Sequence, residues 1–208
     1  MSERVGVLGG SFDPVHAGHL HVARAARTAR DLDRVVFVPA HAPPHKPGVR
    51  LAPDADRLAM LRLAIADEPR FEVCALELER PGPSYTVDTL RALPAALGLA
   101  ADARLFLILG GDNLPDFPRW RGFDEILRRA EPLVVVRAGD ERATLEALRG
   151  RVDDAVLARL EQALVAVEPH PASATALRAA LARGEDPGPD LPPVVADYAR
   201  AHGVYAGR

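Results

Sequence analysis

Two histidines, His16 and His19, close a glycine-led run that reads Gly9-Gly10-Ser11-Phe12-Asp13-Pro14-Val15-His16-Ala17-Gly18-His19. Glycines after a strand let backbone amides approach a ligand closely. Asp13-Pro14 is a turn signal. Where such a loop enters a helix, two imidazoles three residues apart can both face the helix N-terminus. That end offers free N–H groups and partial positive charge, so the combination suits phosphate. The same spacing also fits a turn with two solvated histidines, or half of a zinc site. Zinc is disfavoured because no Glu stands in an H-E-x-x-H frame and Cys74 is the one cysteine. The dinucleotide pattern G-x-G-x-x-G and the P-loop pattern are both absent.

A second candidate comes from composition. Of the 26 basic residues only Lys46 is a lysine, and Asn113 is the only Asn. A chain that uses Arg almost everywhere keeps a compact ammonium at one place, the kind of group a tight phosphate pocket favours over a planar guanidinium. Composition alone leaves chance survival open.

The elements that would position these groups alternate. Residues 4–9 read as a buried strand, 18–30 as a helix and 34–38 as a second strand: a βαβ unit with parallel pairing. Helices are predicted at 54–67, 86–97, 119–130, 141–149, 153–162, 175–183 and 192–202, and strands at 71–76, 104–109, 132–136 and 164–167. The expected fold is α/β: a doubly wound, Rossmann-like parallel sheet with helices on both faces. Residues 1–208 are expected to be a single domain, with a small C-terminal helical part from about 170 to 208. In such sheets ligands bind beyond the carboxyl ends of the strands. Those positions hold Gly9-Gly10-Ser11, Pro39-Ala40-His41 and Gly110-Gly111-Asp112-Asn113.

A net charge of −3 argues against nonspecific nucleic-acid binding but leaves room for a local cationic cluster. No apolar run is long enough for a membrane span, and no basic-then-apolar leader opens the chain. With one cysteine, the expectation is a cytoplasmic protein engaging neither nucleic acid nor membrane, of unassigned oligomeric state.

The run GGSFDPVHAGHL resembles the GG[TS]FDPxHxGH motif of the HxGH nucleotidyltransferases. Pro43-Pro44-His45-Lys46 resembles the PPHK element of bacterial nicotinate-nucleotide adenylyltransferases, and Ser84-Tyr85-Thr86-Val87-Asp88-Thr89-Leu90 their SYTxDTL. Gly110-Gly111-Asp112 with Trp120 is similar to their GxD…W segment, and Ser173-Ala174-Thr175-Ala176-Leu177-Arg178 to their SSTxIR. The likeness runs from residue 5 to Gly203-Val204-Tyr205 and is weakest over 137–168. Ala174 departs from the pattern, where a second hydroxyl is expected. Phosphopantetheine adenylyltransferases share the first motif but are shorter and lack PPHK and SYTxDTL.

The resemblance implies transfer of the adenylyl group of ATP to nicotinic acid mononucleotide, giving deamido-NAD and pyrophosphate in NAD biosynthesis. The attacking phosphate monoester is largely ionised at pH 7, so no general base is needed. The protein has to align the reactants and stabilise charge on the leaving group. It implies that Gly9, Gly10, Ser11 and Phe12 line the ATP phosphates. His16 and His19 would face them, with His19 nearest the α-phosphate. Lys46 and Arg178 would hold the β/γ end, with Ser173 and Thr175 nearby. Mg²⁺ would be held by substrate phosphates and water, with no metal site on the protein. Ser84, Tyr85 and Thr86 would meet the mononucleotide, Thr86 through its backbone N–H; Asp112 would accept from a ribose hydroxyl and Trp120 stack on the pyridine ring. Plain alternatives are helix capping for Thr86 and Asp112 and core packing for Trp120. The competing functions are adenylyl transfer to nicotinamide mononucleotide or another phosphate monoester, a non-catalytic nucleotide-binding module, and hydride transfer. The missing dinucleotide fingerprint disfavours the last.

Overall fold

The computed structural model describes residues 2–44 and 48–207. Lys46 and His45 lie outside them. The chain forms a six-stranded parallel sheet in the order β3-β2-β1-β4-β5-β6, the arrangement of a doubly wound α/β fold. Its strands are β1 (Arg4–Gly10), β2 (Arg34–Pro39), β3 (Phe71–Val73), β4 (Arg104–Gly110), β5 (Glu131–Arg137) and β6 (Leu164–Val167). The connecting helices are α1 (Ala17–Ala29), α2 (Asp54–Ala64), α3 (Thr86–Ala96), α4 (Phe123–Arg129), α5 (Glu141–Glu146) and α6 (Asp154–Gln162). After β6 come α7 (Ala174–Ala182) and α8 (Pro193–Ala201).

The central strands form because they are short, unbroken β-branched and leucine-rich runs, which suit a sheet covered on both faces. Val35–Val38, Leu105–Leu109 and Leu133–Val136 are all buried. The sheet order reverses at β1 and β4, which pair in parallel with Arg4 against Arg104 and Val7 against Leu107.

The chain divides into two compact units, interleaved in sequence. One holds the start of the chain to Leu8, Val22–Val36 and Tyr85–Pro169. The other holds Gly9–His21, Phe37–Ser84 and the stretch from His170 onward.

Four predicted elements differ in extent by three residues or more; of these, the helices expected at 54–67 and 141–149 end at Ala64 and Glu146. The strand expected at 71–76 stops at Val73, because the chain turns at Ala75, whose carbonyl accepts from Leu78 N–H at 2.8 Å. The helix expected at 119–130 begins only at Phe123. Pro115 and Pro118 hold the preceding Gly111–Arg119 as a 3₁₀ helix, and Gly122, at φ 72°, sits in the left-handed region just before α4. Proline lacks the N–H that α-helical pairing requires, and a left-handed residue cannot continue a right-handed turn.

Candidate active site

The phosphate-type residues gather in the unit that holds Gly9–His21. β1 ends at Gly10, and His16 immediately precedes the first residue of α1. The two histidines bond reciprocally: His19 N–H donates to the His16 carbonyl at 2.9 Å, and His16 N–H donates to Nδ1 of His19 at 3.2 Å. The bond to Nδ1 is the return half of a capping box, with an imidazole in the usual place of Glu or Gln, while the other bond is main chain to main chain. An Nδ1 that accepts carries no proton, so the His19 proton lies on Nε2. The two rings are 3.8 Å apart at 33°, and the Phe12 ring meets His19 edge-on at 5.0 Å.

His16 is buried, at 9 % exposure. Burial pushes its pKa from an ordinary 6.5 down to about 4; His170 adds to the drop and Asp190 opposes it. It is therefore neutral at pH 7, and the site's positive charge must come from elsewhere. Gly18 makes room for the ring, since a Cβ there would come within 3.1 Å of His16 Nδ1.

Arg178 supplies a charge. From α7 its guanidinium donates to the main-chain carbonyl of Asp13 at 2.7 Å and to Thr175 Oγ1 at 3.2 Å, which fixes it against the loop. Ser173 and Thr175 are exposed at the start of α7, and the Ser173 side chain makes no capping bond. Ala174, where a hydroxyl was expected, is the first residue of that helix.

The mononucleotide-type residues fall mainly in the other unit. Tyr85 caps α3, and its carbonyl accepts from Asp88 and Thr89 N–H at 3.0 and 3.2 Å. The N–H groups of Thr86 and Val87, at the first two helical positions, have no acceptor within the helix. Gly122 packs on this turn: a Cβ there would lie 2.9 Å from Val87 Cγ2. The Arg121 guanidinium lies 4.7 Å over the Tyr85 ring, so a cation stands beside the start of α3. Trp120 is part-exposed and meets Phe117 edge-on at 5.2 Å. Asp112 does not cap the 3₁₀ helix, whose cap position is Gly110; its carboxylate is 92 % exposed, 3.9 Å from Arg137.

Ser84 belongs to the unit of the histidines. It is buried, and its hydroxyl oxygen accepts from His41 and Ala42 N–H at 3.0 and 3.3 Å. Its bonds thus tie down the chain just before Pro43-Pro44.

Three residues of the phosphate unit escaped the sequence reading. Arg57 is fully buried in α2 and bonds to the carbonyls of Ser11, Ala40 and Ala52. Asp13 is buried and accepts from Tyr205 O–H at 2.8 Å and Ala52 N–H at 3.2 Å. A signal for Arg57 was present: it stands four residues before Leu61, on the buried stripe of α2. For Tyr205 and Asp13 there was only their presence in matching segments. Among the described residues no group of three or more His, Cys, Asp or Glu could hold a metal, and no helix is long and apolar enough to cross a membrane.

Residues 7–180 match the family model described as Cytidylyltransferase-like. A Roseiflexus sp. (strain RS-1) protein named "Probable nicotinate-nucleotide adenylyltransferase" is 44 % identical, with 98 % of each chain covered. One of the same name from Synechococcus sp. (strain JA-3-3Ab) is 39 % identical over 97 % of this chain and 94 % of its own. The solved nicotinic acid mononucleotide adenylyltransferase of Plasmodium falciparum, complexed with NaAD, shares the fold. Its TM-score is 0.70 at 17 % identity, with 98 % of this chain and 97 % of that one covered.

Proposed function

Because the chain belongs to the nicotinate-nucleotide adenylyltransferase family, we propose that it moves the adenylyl group of ATP to nicotinic acid mononucleotide in NAD biosynthesis. It is an enzyme, a nucleotidyltransferase. A phosphate oxygen of the mononucleotide attacks the α-phosphorus of ATP, the bond from that phosphorus to the bridging oxygen breaks, and pyrophosphate leaves with the electron pair. We read residues 1–208 as one nucleotidyltransferase domain, working in the cytoplasm.

One observation carries the assignment of roles: the reciprocal His16–His19 pair at the end of β1, with Arg178 fixed on the same loop. His19 donates from Nε2 to an α-phosphate oxygen as charge builds there. His16, a neutral ring 3.8 Å from that of His19, faces the same phosphates. Arg178 faces the β/γ end, beside Thr175 and Ser173; Lys46 is the lysine that the resemblance implies would hold the same end. Gly9, Gly10, Ser11 and Phe12 bring main-chain groups to the same phosphates. Mg²⁺ would be held by the phosphate oxygens of ATP and by water, and would neutralise charge there.

The acid form of the mononucleotide is favoured by the start of α3. Free N–H groups at Thr86 and Val87 suit a carboxylate, and the Arg121 guanidinium on Tyr85 adds positive potential beside them. Trp120 offers a face to the pyridine ring, and Asp112 a carboxylate to the ribose. An amide would turn its NH₂ toward a donor, leaving a group unpaired at about 1–3 kcal/mol. The test is pyrophosphate release from ATP and Mg²⁺ with each mononucleotide. We expect kcat/KM to favour the acid by roughly 10- to 100-fold, since about 1.4 kcal/mol is tenfold. Equal values would return the substrate to an open choice, and no pyrophosphate with either would defeat the reading.

A further inference from the structure

Arg57 is a cation with no exposed surface, yet it lies in a helix whose other buried residues are Met60 and Leu61. Such a charge persists only where it is well paired and hydrogen-bonded. Its Nε donates to the Ala52 carbonyl at 3.1 Å, Nη2 to the Ala40 carbonyl at 2.7 Å and to Asp54, and Nη1 to the Ser11 carbonyl at 2.5 Å. The fork therefore joins the glycine loop, the end of β2 and the start of α2. Ala40 N–H donates in turn to the Gly10 carbonyl at 2.9 Å, a second stitch between the same stretches.

The bond to Ser11 has a directional effect. A trans peptide points its C=O and N–H in opposite directions. The Ser11 carbonyl is drawn toward Arg57, so the N–H of the same peptide, which belongs to Phe12, points away from it. Phe12 itself has φ 45°, a left-handed conformation that a side chain rarely adopts and that its surroundings must impose. Its ring is locked, 1 % exposed, against Phe37 at 5.7 Å and His19 at 5.0 Å. Among the described residues its N–H meets no acceptor.

We infer that Arg57 is a positioning residue for adenylyl transfer: it holds the Ser11–Phe12 peptide so that the Phe12 N–H faces the ATP phosphates. The inference rests on the reading of Gly9–His19 as the phosphate loop. Charge alone does not serve, because a lysine ammonium is one point and cannot reach three separate carbonyls as a planar fork does.

The test uses the whole protein with Arg57→Lys and Arg57→Met, at a temperature where near-UV circular dichroism shows each variant folded. Both should lose tenfold or more in kcat/KM for ATP, while KM for the mononucleotide stays within about twofold; misplacement of a reacting group by about 1 Å can cost on the order of 100-fold. Unchanged ATP kinetics, or equal losses for both substrates, would overturn the inference. In the wild-type protein the Phe12 amide resonance should move on titration with α,β-methylene-ATP and exchange more slowly at saturation. A Phe12 amide that the analogue leaves unmoved would overturn it as well, whether or not the variants fold. Wild-type protein that releases no pyrophosphate would instead defeat the functional assignment.

Discussion

Acidification is expected to weaken the protein through His16. Its pKa lies near 4 in the native state, chiefly because burial disfavours the charged ring, against 6.5 when exposed. At pH 7 the folded ring is neutral and the unfolded one only about a quarter protonated, so the pH dependence there is slight. As pH falls below 6.5 the unfolded chain binds a proton at this position and the folded one does not, so stability drops. The drop levels off below about 4, where both states are protonated. A fall from 6.5 to about 4, at about 1.4 kcal/mol per pH unit, gives roughly 3 kcal/mol, a large share of a domain's 5–15. The assay is urea unfolding of wild type and His16→Gln at pH 7, 6, 5 and 4. Glutamine does not titrate, so the stability difference between the two proteins should shift by about 3 kcal/mol across that range, always against the wild type as acid is added. The His16 Hε1 resonance should also titrate near 4. A difference that stays flat within about 1 kcal/mol, or a midpoint at 6 or above, would refute the burial argument.

His19→Ala should lower kcat by roughly 10²–10³ with mononucleotide KM nearly unchanged, because the Nε2 donor acts most strongly as charge develops at the α-phosphate; a variant that keeps half the wild-type kcat would remove His19 from the chemistry. Gly122→Ala forces a side chain into φ 72° with its Cβ 2.9 Å from Val87 Cγ2. Left-handed backbone and overpacking together should cost about 2–4 kcal/mol in urea unfolding, and KM should rise for the mononucleotide more than for ATP.

The sheet was legible because its strands announce themselves: Val35–Val38 and Leu133–Val136 are runs that only a strand covered on both faces would contain. The turn from β1 into α1 was legible because Gly9-Gly10 and Asp13-Pro14 are turn-forming residues that follow a buried strand. Elsewhere local pattern misled. The 54–67 segment is rich in leucine, yet Leu63 is 40 % exposed and the buried residues of α2 are Arg57, Met60 and Leu61. Periodicity counts apolar residues and so cannot credit a buried arginine whose partners are carbonyls contributed by other segments. The Trp120 region failed for the opposite reason. Its charged and apolar residues fit a helix, but Pro118 and the left-handed Gly122 delay the helix to Phe123. Ser84 looked like a ligand contact from its motif; in the fold its oxygen meets the 41–42 main chain.

The bond from Tyr205 to Asp13 spans 192 residues and sets a clock on synthesis. A ribosome adding 5–20 residues per second needs roughly 10–40 s to go from the first partner to the second. Throughout that interval the histidine loop is already made, but the tyrosine that meets its buried carboxylate is not. Arg178, which holds the Asp13 carbonyl, also arrives late. The nascent chain therefore carries the loop's sequence long before it carries the loop's supports. Nucleotide recognition by this loop should switch on only in the last moments of translation.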